Sequence, residues 1–152
     1  MHLCGLSLGA MIATRFAIDH PQRVASLILS GSQVHPNAVL MRLQNAVIRV
    51  LPSRLVVPEG MSKKTMLALL RGIATDDFRP ELPKIGAPTL VLCGARDRPN
   101  LAAARELAGG IPGAELHIVP NASHEMNRQL PDEFSARLNA FLLGQRLRHP
   151  ER

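Results

Sequence analysis

His2-Leu3-Cys4-Gly5-Leu6-Ser7-Leu8-Gly9 (residues 2–9) is a short apolar run that ends in a G-x-S-x-G turn and passes straight into a helical pattern. A strand that turns sharply into a helix holds the turn serine in a strained backbone conformation, and glycines at positions 5 and 9 are expected to prevent collisions with neighbouring backbone. Ser7 Oγ would then stand at the C-terminal end of the strand and at the N-terminus of the helix, where free N–H groups favour negative charge. The N–H of Leu8, directly after the serine, is placed to hold a developing oxyanion.

Residues 8–19 are apolar nearly all round, which predicts a largely buried helix closed by Pro21. Val24–Leu29, Thr89–Cys93 and Glu115–Val119 read as strands. Asn100–Ala108 reads as a helix ending at Gly109-Gly110, and Phe134, Leu138, Phe141 and Leu142 mark a last helix with Asp132 and Glu133 in its first turn. Between Ser30 and Lys84 the pattern differs. Val39, Leu40, Leu43, Val47, Val50 and Leu51 give one helical stripe, and Met66, Leu69, Leu70 and Ile73 give another with Ser62 as N-cap. Strands separated by helices imply an α/β fold, with about four parallel strands, flanking helices and a helical insertion at 34–82.

An activated serine needs a base, and the base needs an orienting acid. Asp97 follows the strand Thr89–Cys93, and His124 follows the strand that ends at Val119. In a parallel sheet these positions share an edge with Ser7, the edge where open α/β sheets place their sites. Ser7 is the expected nucleophile, His124 the proton relay and Asp97 the residue that fixes the imidazole.

Composition narrows the alternatives. A chain of 152 residues with 46% hydrophobic and 20% charged residues suits one globular domain over 1–152. No apolar run is long enough to span a membrane, two cysteines make no disulfide scaffold, and the N-terminus lacks a secretory pattern, so a cytoplasmic setting is expected. The net charge is +6, yet the arginines are scattered and aromatics are only 3%, which argues against nucleic-acid binding. No Cys/His cluster or H-E-x-x-H occurs, so no metal site is expected.

The segments HLCGLSLGAMIATRFAIDHPQRVASLIL, LPKIGAPTLVLCGARD and ELHIVPNASHEMNRQLPDEFSARLNAFL resemble the C-terminal half of an α/β-hydrolase of the esterase and lactonase type. The stretch CGLSLG is similar to the elbow of 3-oxoadipate enol-lactonases, although Ala10 stands where a second glycine is frequent. The resemblance implies hydrolysis of a small-molecule ester or lactone through Ser7, Asp97 and His124, without a cofactor, and reads the insertion as the variable cap. It also implies about four strands ahead of the elbow strand, and a loop with a second oxyanion N–H, that this sequence does not contain. The strand at His2–Cys4 would then have an open apolar edge, suited to pairing with another copy of the chain. An internal start at Met1, a fragment and a partner chain that completes the sheet all fit this pattern. Other chemistries of the superfamily (C–C hydrolysis, cofactor-free haloperoxidation, acyl transfer) and an inactive, partner-binding remnant stand as alternatives.

The remaining candidates have plainer readings. His2 packs at a strand start, His20 caps a helix end, His117 is structural and His149 lies in the basic tail, whereas His35 is a candidate for the substrate cleft. Cys4 and Cys93 read as buried packing on strands too far apart for a disulfide. Asp76 and Asp77 read as acids facing solvent, Ser30 and Ser32 as turn residues around Gly31, and Met41 and Met66 as core filling.

Overall fold

The computed structural model describes residues 1–35, 46–57, 60–73 and 77–148. The chain divides into two compact units, Met1–Val34 with Phe78–Arg152, and His35–Asp77. In the first unit, β1 (His2–Leu6), β2 (Ser26–Ser30), β3 (Thr89–Gly94) and β4 (Glu115–Val119) form one sheet in the order β1-β2-β3-β4. All three pairings are parallel, with Cys4 opposite Ile28, Ile28 opposite Leu90, and Leu92 opposite His117. Every residue of β2 and of β3 is buried, as expected of central strands covered on both faces.

Alternation along the strands divides the core between those two faces. Ile28, Leu90, Leu92 and Val119 pack with Ala122, Met126 and Phe141, and Phe134, Leu138 and Leu142 lie against that cluster from α4 (Pro131–Arg148). Leu27, Leu29 and Val91 point the other way and are fully buried as well. On the connections, α1 (Leu8–Asp19) packs on β1 and β2, and α3 (Arg98–Gly110) packs on β3 and β4. Each fully buried aliphatic side chain of this kind contributes roughly 1.5–3 kcal/mol.

Two sequence expectations need correction here. The α3 helix does not stop before Gly109-Gly110 but runs through both. A Cβ at Gly110 would sit 2.5 Å from Leu82 Cδ1, so that glycine serves close packing against the 3-10 turn Leu82–Lys84. Cys4 is exposed rather than buried, because among the described residues β1 pairs with β2 alone; Cys93 is buried, and both thiols are free. Arg15 on α1 joins the Leu82 turn through a 2.9 Å ion pair with Glu81 and also pairs with Asp19. The Arg15 and Lys84 partners hold the Glu81 carboxyl far down, at about 2.

In the second unit, residues 46–50 are helical and α2 spans Lys63–Ile73. Thr65 N–H donates to Ser62 Oγ at 3.0 Å, the side-chain cap expected of Ser62. Ile48 and Leu70 are buried and Met66 is half-buried. Val39, Leu40 and Leu43 of the first stripe, together with Met41, Asp76 and His149, lie outside the described residues. Among the described residues, no helix is long and apolar enough to cross a membrane.

Candidate active site

Ser7 sits between the last residue of β1 and the first of α1 with φ 55° and ψ −117°. Ser7 and Asn121 are the two non-glycine residues with positive φ among those described. Such a conformation costs about 1–3 kcal/mol and persists because its surroundings hold it. Ser7 N–H donates to Ser30 O at 2.8 Å, and Ser7 O accepts from the N–H groups of Ala10 and Met11 at 3.0 and 3.2 Å. The peptide is therefore clamped from β2 on one side and from the first turn of α1 on the other. Leu8 opens α1, and its N–H lies among the helix-terminal donors that have no partner within the helix.

The two elbow glycines differ. A Cβ at Gly5 would lie 2.4 Å from Gly9 O and 2.5 Å from Ala10 N, so this position excludes any side chain. A Cβ at Gly9 would meet nothing within 4 Å, which corrects the expectation of a backbone collision there. Gly5 faces the first turn of α1, whereas Gly9 is on that turn and looks into open space.

Asp97 and His124 are brought together by the loops after β3 and β4. Ala95 N–H donates to Val119 O and Arg96 N–H to Ala122 O, each at 2.9 Å, so the two loops are joined backbone to backbone. Their approach depends on Gly94, where a Cβ would lie 2.4 Å from Ala122 O. Asn121, at φ 61°, turns the second loop back, and Ser123 N–H is held by Gln129 Oε1 at 3.0 Å. The result is a 2.8 Å hydrogen bond between His124 Nδ1 and Asp97 Oδ2, with Asp97 only 5% exposed and His124 40% exposed. Among the described residues Ser7 Oγ makes no hydrogen bond to His124, and the two are linked through β2 instead. Ser30 receives the Ser7 N–H, and the next residue, Gly31, lies against the imidazole.

Three participants were not singled out by sequence. Gly31 has φ +57°, and a Cβ there would be 3.0 Å from His124 Nδ1 and Cε1 and 3.4 Å from Asp97 Oδ2. Asn100 Nδ2 sits astride the Asp97 carboxylate, 2.8 and 2.9 Å from its oxygens, and Gln33 donates in turn to Asn100 Oδ1. The available signals were slight: a glycine directly after a strand at the same sheet edge, and an amide three residues beyond the acid. Nearby, burial and secondarily the Asp97 charge push the Cys93 thiol up to about 11, which leaves it protonated and a poor nucleophile.

The other candidates lie elsewhere. His2 Nδ1 is 2.8 Å from Ser26 Oγ, His20 closes α1 through its N–H to Phe16 O, and His35 is exposed in the second unit. His117 Nδ1 meets Arg137 Nη1 at 2.9 Å in a cavity of about 400 Å³ along β4 and α4 that contains no member of the serine, histidine and aspartate set. Ser30, the last residue of β2, and Ser32 are both buried. Among the described residues no group of acidic, histidine or cysteine side chains is arranged to hold a metal ion.

A sequence model of the alpha/beta hydrolase family matches residues 2–137. The chain is 27% identical over 179 residues to a 2-hydroxy-6-oxononadienedioate/2-hydroxy-6-oxononatrienedioate hydrolase of Klebsiella pneumoniae subsp. pneumoniae, with 93% of this chain and 62% of that protein covered. It spans about three-fifths of the length of such curated relatives. Among solved structures, the enol-lactonase from Burkholderia xenovorans LB400 matches with TM-score 0.72 at 25% identity, covering 93% of this chain and 65% of that one. MenH from S. aureus matches with TM-score 0.77 at 22% identity over 93% of this chain and 67% of that one, a likeness of fold.

Proposed function

This chain belongs to the alpha/beta hydrolase family, and on that premise we propose that it hydrolyses an ester or lactone of a small, mostly apolar substrate through an acyl-serine intermediate. In this reading Ser7 Oγ attacks the substrate carbonyl while His124 Nε2 takes the hydroxyl proton. The Leu8 N–H holds the oxyanion, and the imidazolium returns its proton to the departing alkoxide. Water, deprotonated by the same imidazole, then adds to the acyl carbon and releases the acid and free Ser7. Asp97 keeps the proton on Nδ1, so that the Nε2 lone pair is available, and no cofactor is required.

The observation that supports this most is the meeting at Ser30-Gly31 of a strained Ser7 with a buried Asp97 bonded to His124. Strain at a polar residue marks a conformation held for use, since a relaxed turn would be more stable. The insertion at 34–82 is proposed as the cap that sets specificity, and a cytoplasmic setting belongs to the same reading. The name of the Klebsiella relative favours a second reading of the substrate, an oxo-dienedioate rather than a simple ester.

Labelling of the purified chain with a fluorophosphonate tests the proposal, with Ser7→Ala and His124→Ala as controls. Labelling of the wild type alone is expected. A folded wild type that takes no label would overturn it and favour the inactive, partner-binding remnant.

A further inference from the structure

We infer that Gln33 and Asn100 form a one-way donor chain that denies the His124 Nδ1 proton a rival acceptor and leaves it to Asp97 Oδ2. The inference deepens the proposed triad and rests on it. Gln33 Nε2 lies 3.4 Å from Pro99 O and within hydrogen-bond reach of Asn100 Oδ1. A backbone carbonyl can only accept, so Gln33 must turn its NH₂ toward Pro99, and Asn100 must then offer Gln33 its oxygen. At the other end, the Asp97 carboxylate also only accepts, so Asn100 must turn its NH₂ to Asp97. Both ends impose the same orientation on Asn100, which is itself only 7% exposed.

The consequence falls on His124. Asn100 Nδ2 is also 3.1 Å from His124 Nδ1. With its NH₂ on this side, Asn100 offers no acceptor to the imidazole, so the Nδ1 proton has Asp97 Oδ2 as its acceptor. Were Asn100 reversed, its oxygen would compete with Asp97 for that proton and draw the ring off its axis. Asn100 and Gln33 are therefore positioning residues, acting on the imidazole through Asp97 and through the denial of a rival acceptor. The same stretch of chain supplies Gly31, which lies against the Nδ1–Cε1 side of the ring.

The test is proton NMR of the far-downfield imidazole N–H of the full chain, assigned by its loss in His124→Ala. Ser7→Ala should retain it, which separates this readout from activity. Gln33→Glu keeps the shape of the side chain but replaces a donor with an acceptor, so it should reverse Asn100 and shift or broaden the signal. Gln33→Met removes the donor without adding charge and should broaden it to a lesser degree. Asn100→Leu should remove the second donor to Asp97; if that variant does not fold, the Gln33 pair decides. Where the wild type takes the fluorophosphonate label, Gln33→Glu should slow maximal labelling about ten- to hundredfold, the size of one hydrogen bond to a charged group, with the half-saturating probe concentration unchanged. A wild type without the signal, or Gln33 variants with an unaltered signal, would overturn the inference. A wild type that shows the signal and its predicted responses but takes no label would overturn the hydrolase reading and leave the donor chain standing.

Discussion

Replacing Gly31 by alanine probes the point where the end of β2 lies against His124 and Asp97. Two costs are expected, and they are separable. The first is conformational: Gly31 has φ +57°, and an L residue in that region costs about 1–2 kcal/mol relative to glycine. The second is local: the new Cβ would stand 3.0 Å from two atoms of the His124 ring, whereas nonbonded carbon atoms settle at about 3.5–4.0 Å. The ring must therefore give by roughly half an ångström, and it can, because His124 is 40% exposed while Asp97 behind it is not. A misplacement of about 1 Å at a reacting group costs on the order of 10²-fold, so about half of that predicts a loss near tenfold. Urea unfolding should show the first cost and the rate of fluorophosphonate labelling the second. A folded Gly31→Ala that labels at the wild-type rate would refute the claim that the missing side chain sets the imidazole position. A rate loss no larger than the unfolded fraction would refute it equally.

Other outcomes follow from the same geometry. Gly5→Ala should destabilise the chain by about 3 kcal/mol in urea titration, because the added carbon meets backbone atoms of α1 that cannot step aside. Gly9→Ala, in open space on the same helix, should be neutral or stabilising by up to about 1 kcal/mol. Ser7→Gly should raise the melting temperature, since glycine adopts positive φ without strain worth about 1–3 kcal/mol, while it abolishes labelling. For Glu81, whose carboxyl is depressed to about 2, the unfolded chain binds the proton first on acidification. Its contribution to stability is therefore complete above the ordinary carboxylate range and fades as the pH falls toward 2. Denaturation curves of wild type and Glu81→Gln should accordingly converge over that interval, and a gap that persists unchanged would show that the Arg15 and Lys84 contacts are not its source.

The parts that depend on neighbours along the chain can be read directly from the residues. The apolar run at His2–Cys4, the glycine-bounded Ser7, the helix at 8–19 and the strand at Glu115–Val119 are local patterns of period and turn chemistry; the last three stand where those patterns put them, and the first is the start of a strand that continues to Leu6. That Asp97 and His124 leave the sheet at the same edge as Ser7 was also legible, because parallel strands bring every strand-to-helix loop to one edge of the sheet. Tertiary structure alone decided what happens across the gaps between those loops. Gly31 and His124 are 93 residues apart, and nothing local to Ser30-Gly31-Ser32 announces that an imidazole will lie on it. Gln33 and Asn100 are likewise joined only by folding, and the polarity of their contact is imposed by acceptors at both ends. Gly9 and Gly110 depart from their expected roles for the same reason: one faces open space and the other faces Leu82. A single chain position carries information about its own backbone preference, but the atom that will stand 3 Å away from it is chosen by the packing of elements that meet only in the folded sheet.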